Sequence, residues 1–136
     1  MRPEPTQRPP LTVSTPAEAV ELVDRLAGTM ADLTALLAEE SALVRAVKLT
    51  QARPLERRKA ELSQLYLADL ARLKANGAYI RRAAGARIDG LMRTNEALQK
   101  ALEYNLAILA TAHAVSEGVI RSVSTAIQNK RAPATY

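Results

Sequence analysis

The sequence predicts an all-α protein: a long antiparallel helical hairpin closing into a three-helix bundle with coiled-coil-like packing. Three observations predict it. Hydrophobic residues make up 48% of the chain but aromatic residues only 3%, with no Phe and no Trp. A core of Leu, Val, Ile and Ala suits packed helices better than strands. Helix breakers are scarce where they would matter: there are five glycines, and five of the seven prolines fall within the first sixteen residues. Finally, apolar residues recur in alternating steps of three and four, the period of one helical face.

Taken in order, residues 1–14 read as a flexible Pro-rich tail, since Pro3, Pro5, Pro9 and Pro10 prevent helix. A single helical domain over 15–130 follows, with helices expected over about 16–51, 54–83 and 86–129. Thr15 can cap the first helix, with Pro16 at its first position and Glu18 completing a capping box. Its stripe runs Ala19, Val23, Leu26, Met30, Leu33, Leu37, Glu40, Val44, Val47, widened by Leu22, Leu36 and Leu43. Pro54 then opens the second helix, whose apolar side is Leu55, Leu62, Leu65, Tyr66, Leu70 and Leu73. Asn76-Gly77 and Gly85 are the candidate breaks before the third helix. The break or kink is placed near Ala83–Gly85, with one continuous kinked helix as the alternative. The third stripe runs Ile88, Leu91, Asn95, Leu98, Leu102, Asn105, Leu109, Ala112, Ser116, Val119, Val123, and a tail occupies 131–136.

Catalytic chemistry finds little to use. Without cysteine there are no disulfides and no thiolate metal sites. The one histidine, His113, has only Glu117 at helical spacing, and no Glu-x-x-His motif exists for a di-metal bundle. Ser116, Ser122 and Ser124 lack an oriented base, and Gly85 and Gly90 stand alone rather than in a phosphate loop. Glu40, on the apolar seam, is read as the partner of a basic residue such as Lys59 on the next helix. No catalytic, cofactor-binding or metal-binding residues are therefore assigned, and a non-enzymatic role is expected.

Charge is uneven. Residues 1–50 hold five basic and seven acidic residues, net −2; residues 51–136 hold fourteen and seven, net +7. Arg57, Arg58 and Lys59, with Arg81, Arg82, Arg87 and Arg93, could neutralise phosphates. They alternate with Ala and Leu at helical spacing, however, and no recognition-helix signature accompanies them. A solvated helical face is the better reading, and nucleic-acid binding is disfavoured. No apolar run reaches the roughly 18 residues of a membrane span, and Met1–Pro10 contains no apolar signal region. A cytoplasmic protein without membrane insertion is expected.

One stretch asks for a partner. From Tyr104 to Ile120 the only charged residue is Glu117. A second apolar stripe (Leu102, Leu106, Leu109, His113, Ile120, Ile127) accompanies the first, so apolar side chains point to more than one side of the helix. Leaving four or five large aliphatic residues uncovered forgoes roughly 6–15 kcal/mol, comparable with the stability of a whole domain. Leu102, Leu106, Leu109, Val115, Val119, Ile120, Val123 and Ile127 are the candidate partner-binding residues; the pattern equally allows this stretch to be the buried centre of a compact bundle.

Three segments in order and spacing carry a family likeness: LTALLAEESALVRA at 33–46, LERRKAELSQLYLADLARL at 55–73 and NEALQKALEYNLAILATAHAVSEGVIRSV at 95–123. Glu39-Glu40, Lys59 with Leu62 and Tyr66, Asn105 before Leu106, and Val119-Ile120 stand at the family's recurring positions. In these the chain resembles the FlgN-type flagellar export chaperones over about residues 20–136. The resemblance implies a cytoplasmic type III secretion chaperone. It would bind the C-terminal helical regions of hook-associated proteins, prevent their premature assembly and deliver them to the flagellar export apparatus. In the family the client is held by the C-terminal helix. Many members carry a Tyr-Gly after it that is linked to docking on the export gate; Tyr136 stands at that place, without the Gly. The alternative is a self-associating coiled coil or adaptor, with homodimerisation through the same stripes.

Overall fold

A computed structural model describes residues 11–131, with side chains as far as Asn129. It contains four helices, α1 (Pro16–Arg45), α2 (Leu49–Ala52), α3 (Leu55–Ala75) and α4 (Gly77–Arg131), and no strand among the described residues. This is the all-α class expected.

The first helix starts where capping chemistry directs. The Glu18 amide donates to Thr15 Oγ1 at 3.1 Å, and Pro16 occupies the first turn. The Glu18 carboxylate reaches back to the Ser14 amide at 2.9 Å, satisfying a second free donor.

Helix α1 ends at Arg45, six residues before the expected end near 51. The Val47 amide donates to Val44 O at 3.0 Å and the Lys48 amide to Leu43 O at 2.8 Å, while Val47 adopts φ 60. This pair of bonds around a left-handed residue is the Schellman arrangement. Glycine normally fills that position, so a β-branched valine carries strain there. Val47 continues the apolar spacing of α1 but lies outside the core, 77% exposed.

The boundary between the second and third long helices also differs from expectation. It falls at Asn76, not at 83–85, so the expected 54–83 and 86–129 become Leu55–Ala75 and Gly77–Arg131. Asn76 (φ −122, ψ 23) is held by its own side chain. Its Nδ2 donates to Arg72 O at 2.8 Å and to Leu11 O, and its Oδ1 accepts from the Val13 amide at 3.1 Å. A side chain that binds both the helix-end carbonyl of Arg72 and the segment leading into α1 makes a better stop than an isolated glycine. Near 83–85 only Ala84 leaves helical angles (φ −132, ψ 26), bending α4 without ending it.

The same bonds revise the reading of residues 1–14 as a tail. Leu11 and Val13 are tied to Asn76, Tyr79 Oη donates to Ser14 O at 3.2 Å, and Val13 is buried in the core. Residues 1–10 lie outside the described residues. Asn76→Ala should cost about 1–2 kcal/mol, a helix stop and a strap lost together. Hydrogen exchange checks it, with the Val13 amide expected to lose protection; unchanged exchange there would refute the strap.

Helix α1 is the centre of the bundle. Pairs Arg25–Asp69 and Glu40–Lys59 set α3 antiparallel to it. Pairs Asp24–Arg87 and Glu40–Asn105 set α4 parallel to it. Helices α3 and α4 touch each other little, with Tyr66 Oη reaching Asn95 Oδ1 at 3.3 Å. The α1 stripe is buried from Ala19 to Val44, with Leu22, Leu26 and Val23 essentially inaccessible. Leu62 of α3 and Ile80, Ala84, Leu91 and Leu98 of α4 complete the core. Of the expected α3 face, Leu65 is exposed. Asp69, also buried, instead accepts two parallel bonds from Arg25 at 2.9 and 2.8 Å. These bonds hold the Arg25 guanidinium more firmly charged than usual, against a smaller opposing effect of burial.

Candidate functional site

The parallel register of α1 and α4 determines where the site sits. Asn105 lies beside Leu37, Glu40 and Ser41, and Arg45 donates to Tyr104 Oη at 2.7 Å. Helix α1 stops there, whereas α4 runs on to Arg131. About twenty-six residues of α4, on the order of 40 Å, run on past that point.

Beneath the projection lies a polar plug. Glu40 is 2% exposed and Asn105 0%. Glu40 Oε1 accepts from Lys59 Nζ at 2.9 Å and from Asn105 Nδ2 at 2.8 Å. The amide also reaches Ser41 Oγ at 3.1 Å. Lys59 is the partner expected for Glu40. Burial opposes ionisation of Glu40, but hydrogen bonds with Glu56, Lys59 and Asn105 and the Lys59 charge outweigh it, holding this carboxyl below its ordinary value. The hydrogen bond to Glu40, with burial, pushes the Glu56 carboxyl up. Asn105 Oδ1 is buried without a partner. Turning it toward the carboxylate would set two acceptors together, so the amide presents its NH₂ group there and leaves the oxygen unmatched. The plug fixes the register of three helices; it offers no nucleophile beside a base.

Above the plug the apolar stripe loses its cover. Leu102 packs against the core and Leu109 is half-buried. Leu106, Val115, Val119 and Ile120 are 57%, 61%, 57% and 62% exposed, and Val123 and Ile127 are exposed as well. The projection and the end of α1 enclose an open groove of about 540 Å³. Of the eight candidate residues it gathers Val115, Val119 and Ile120, beside Ile108 and Ala112 of the same helix. Leu106, Val123 and Ile127 lie on the projection outside the groove, and Tyr136 lies outside the described residues.

The opposite wall, Val44, Val47 and Leu49, went unrecognised as a site in the sequence. Its signal is a change of phase: after Val47 the next helical positions are Thr50 and Gln51, so the apolar side chains there cannot serve the same stripe. His113 Nε2 and Glu117 Oε1 meet at 3.0 Å on the exposed helix surface. Among the described residues no group of three His, Asp or Glu could hold a metal ion.

The expectation about membrane spans needs amendment. Helix α4 contains an 18-residue window of mean hydropathy 1.2 with at most two charges, none of it buried. Many alanines and few charges raise the average although no single run is wholly apolar. By length and composition alone the helix could cross a membrane.

Fold and site together define a helical bundle carrying an uncovered apolar arm. Compared with protein-family models, with curated proteins and with solved structures, the chain matches none.

Proposed function

We propose that the protein is a non-enzymatic, cytoplasmic export chaperone of the FlgN type. It binds the C-terminal helical region of flagellar hook-associated proteins and holds them unassembled until delivery to the type III export apparatus. The observation that carries this reading is the projecting segment of α4, whose apolar side chains the other described residues leave in water. A monomeric protein rarely exposes such a contiguous apolar surface without a partner for it. Helix-in-groove capture fits the shape, because a client helix supplies anchors at i, i+3, i+4 and i+7. The likeness in residues 33–46, 55–73 and 95–123 supports the choice of client, and docking of Tyr136 on the export gate belongs to the same proposal.

The test is capture of purified hook-associated subunits by the purified protein. Val119→Glu with Ile120→Glu should reduce capture by at least roughly a hundredfold, the scale of two buried apolar anchors. The circular dichroism and melting of the bundle should stay unchanged, since both side chains are exposed. Absence of capture by the unaltered protein, or full capture by the folded double variant, refutes the reading.

A further inference from the structure

The two walls of the groove differ in charge. The α4 wall facing it, from Ile108 to Ile120, contributes no charged lining residue. The other wall, Val44, Arg45, Val47 and Leu49, carries one cation and no carboxylate, and Lys48 and Arg53 stand close to it in the sequence. Among the described residues none of these three cations forms an ion pair; Arg45, which lines the groove, meets only the Tyr104 hydroxyl.

Val47 adds a second, independent observation. It holds a left-handed backbone angle that glycine would adopt freely, yet its side chain is largely exposed and lines the groove. Folding gains little from this side chain.

We propose that the groove accepts one amphipathic helix of a partner protein, its apolar anchors seated between Val47 and the Val115–Ile120 side of α4 and its acidic residues facing Arg45 and Lys48. The inference rests on the chaperone reading and narrows it to clients with an acidic flank.

Other occupants fit less well. Leu11 is tied to Asn76 at the far end of α1. The described N-terminal segment is therefore held about the length of α1, roughly 45 Å, from the groove. A second copy would offer only Glu117 as an acidic group on its described projecting arm, 3.0 Å from His113, and would bring a second cationic wall. The lined stretch of α4, twelve residue steps or about 18 Å, matches three turns of a bound helix.

The test uses the full chain and two labelled helical peptides that share one pattern of Leu and Ile anchors, flanked in one by Glu and in the other by Lys. Fluorescence anisotropy should show the Glu peptide binding at least about tenfold more tightly. The preference should shrink at high salt and invert in Arg45→Glu with Lys48→Glu. Val47→Gly should raise the melting temperature while weakening the Glu peptide several-fold. Equal binding of both peptides overturns the acidic-flank inference and leaves the chaperone reading standing. Binding of neither peptide, in a protein that still captures hook-associated subunits, places capture elsewhere and overturns the groove. Failure of both peptides and subunits overturns both readings. A stable dimer at micromolar concentration that blocks the Glu peptide assigns the groove to a second copy and overturns the proposal.

Discussion

Leu26→Ala is expected to destabilise the protein by about 3–5 kcal/mol, because the site at the centre of α1 is closed on every side and cannot collapse around the missing atoms. Leu26 is wholly inaccessible, with α1 itself covered by both α3 and α4. Ile120→Ala removes as many carbon atoms from the same kind of stripe and is expected to change stability by no more than about 0.5 kcal/mol. Urea unfolding of the two variants measures the contrast directly. Comparable losses would mean that the projecting arm is packed in solution, against a second molecule, and the free docking surface would be lost with it.

Lys59→Met is expected to cost about 2–4 kcal/mol at neutral pH. That lies toward the lower side of what breaking a buried pair costs, since Lys59 keeps some contact with water. The loss comes from Glu40, left ionised and enclosed with Asn105 as its remaining close donor. The pH dependence has a definite sign. A carboxyl whose folded pKa is depressed contributes stability above its unfolded value, near 4.3, and that contribution disappears as pH falls through the folded value. Glu40 is such a group, so the gap between the native protein and Lys59→Met should narrow on acidification below about pH 4. Glu56, shifted upward, acts in the opposite direction: its contribution is complete below its unfolded value and is lost as pH rises through the folded one. Converting Glu40, Lys59 and Asn105 together to Leu, Met and Leu should restore most of the stability, because an apolar plug needs no partners. A Lys59→Met protein as stable as the native one, or a gap that widens in acid, would remove the plug from the account of stability.

The projecting arm follows from unequal helix lengths. A client helix lying along it would cover side chains that α1 would have covered had it continued as far as α4 does. The strained turn at Val47 ends α1 early and simultaneously builds the second wall of the groove. Stability given up at one turn thus opens a surface, in keeping with the general tendency of strained backbone to collect at functional positions.

Much of this architecture was legible in the residues. The α1 stripe from Ala19 to Val44, the Thr15 cap, the Glu40–Lys59 pair and the uncovered apolar side chains near Ile120 all follow from local rules: helical period, capping chemistry, and the need of a buried charge for a partner. Those rules act over one to two turns, and a single chain displays them. Two features depended on contacts between residues far apart in sequence. Asn76 ends α3 because it can also hold Leu11 and Val13, some sixty residues away. The groove exists because Val44, Val47 and Leu49 come beside Ile108 and Val115, and that meeting depends on the parallel register of α1 and α4. Period and propensity specify which face of a helix seeks cover; only the packed structure decides where the cover ends.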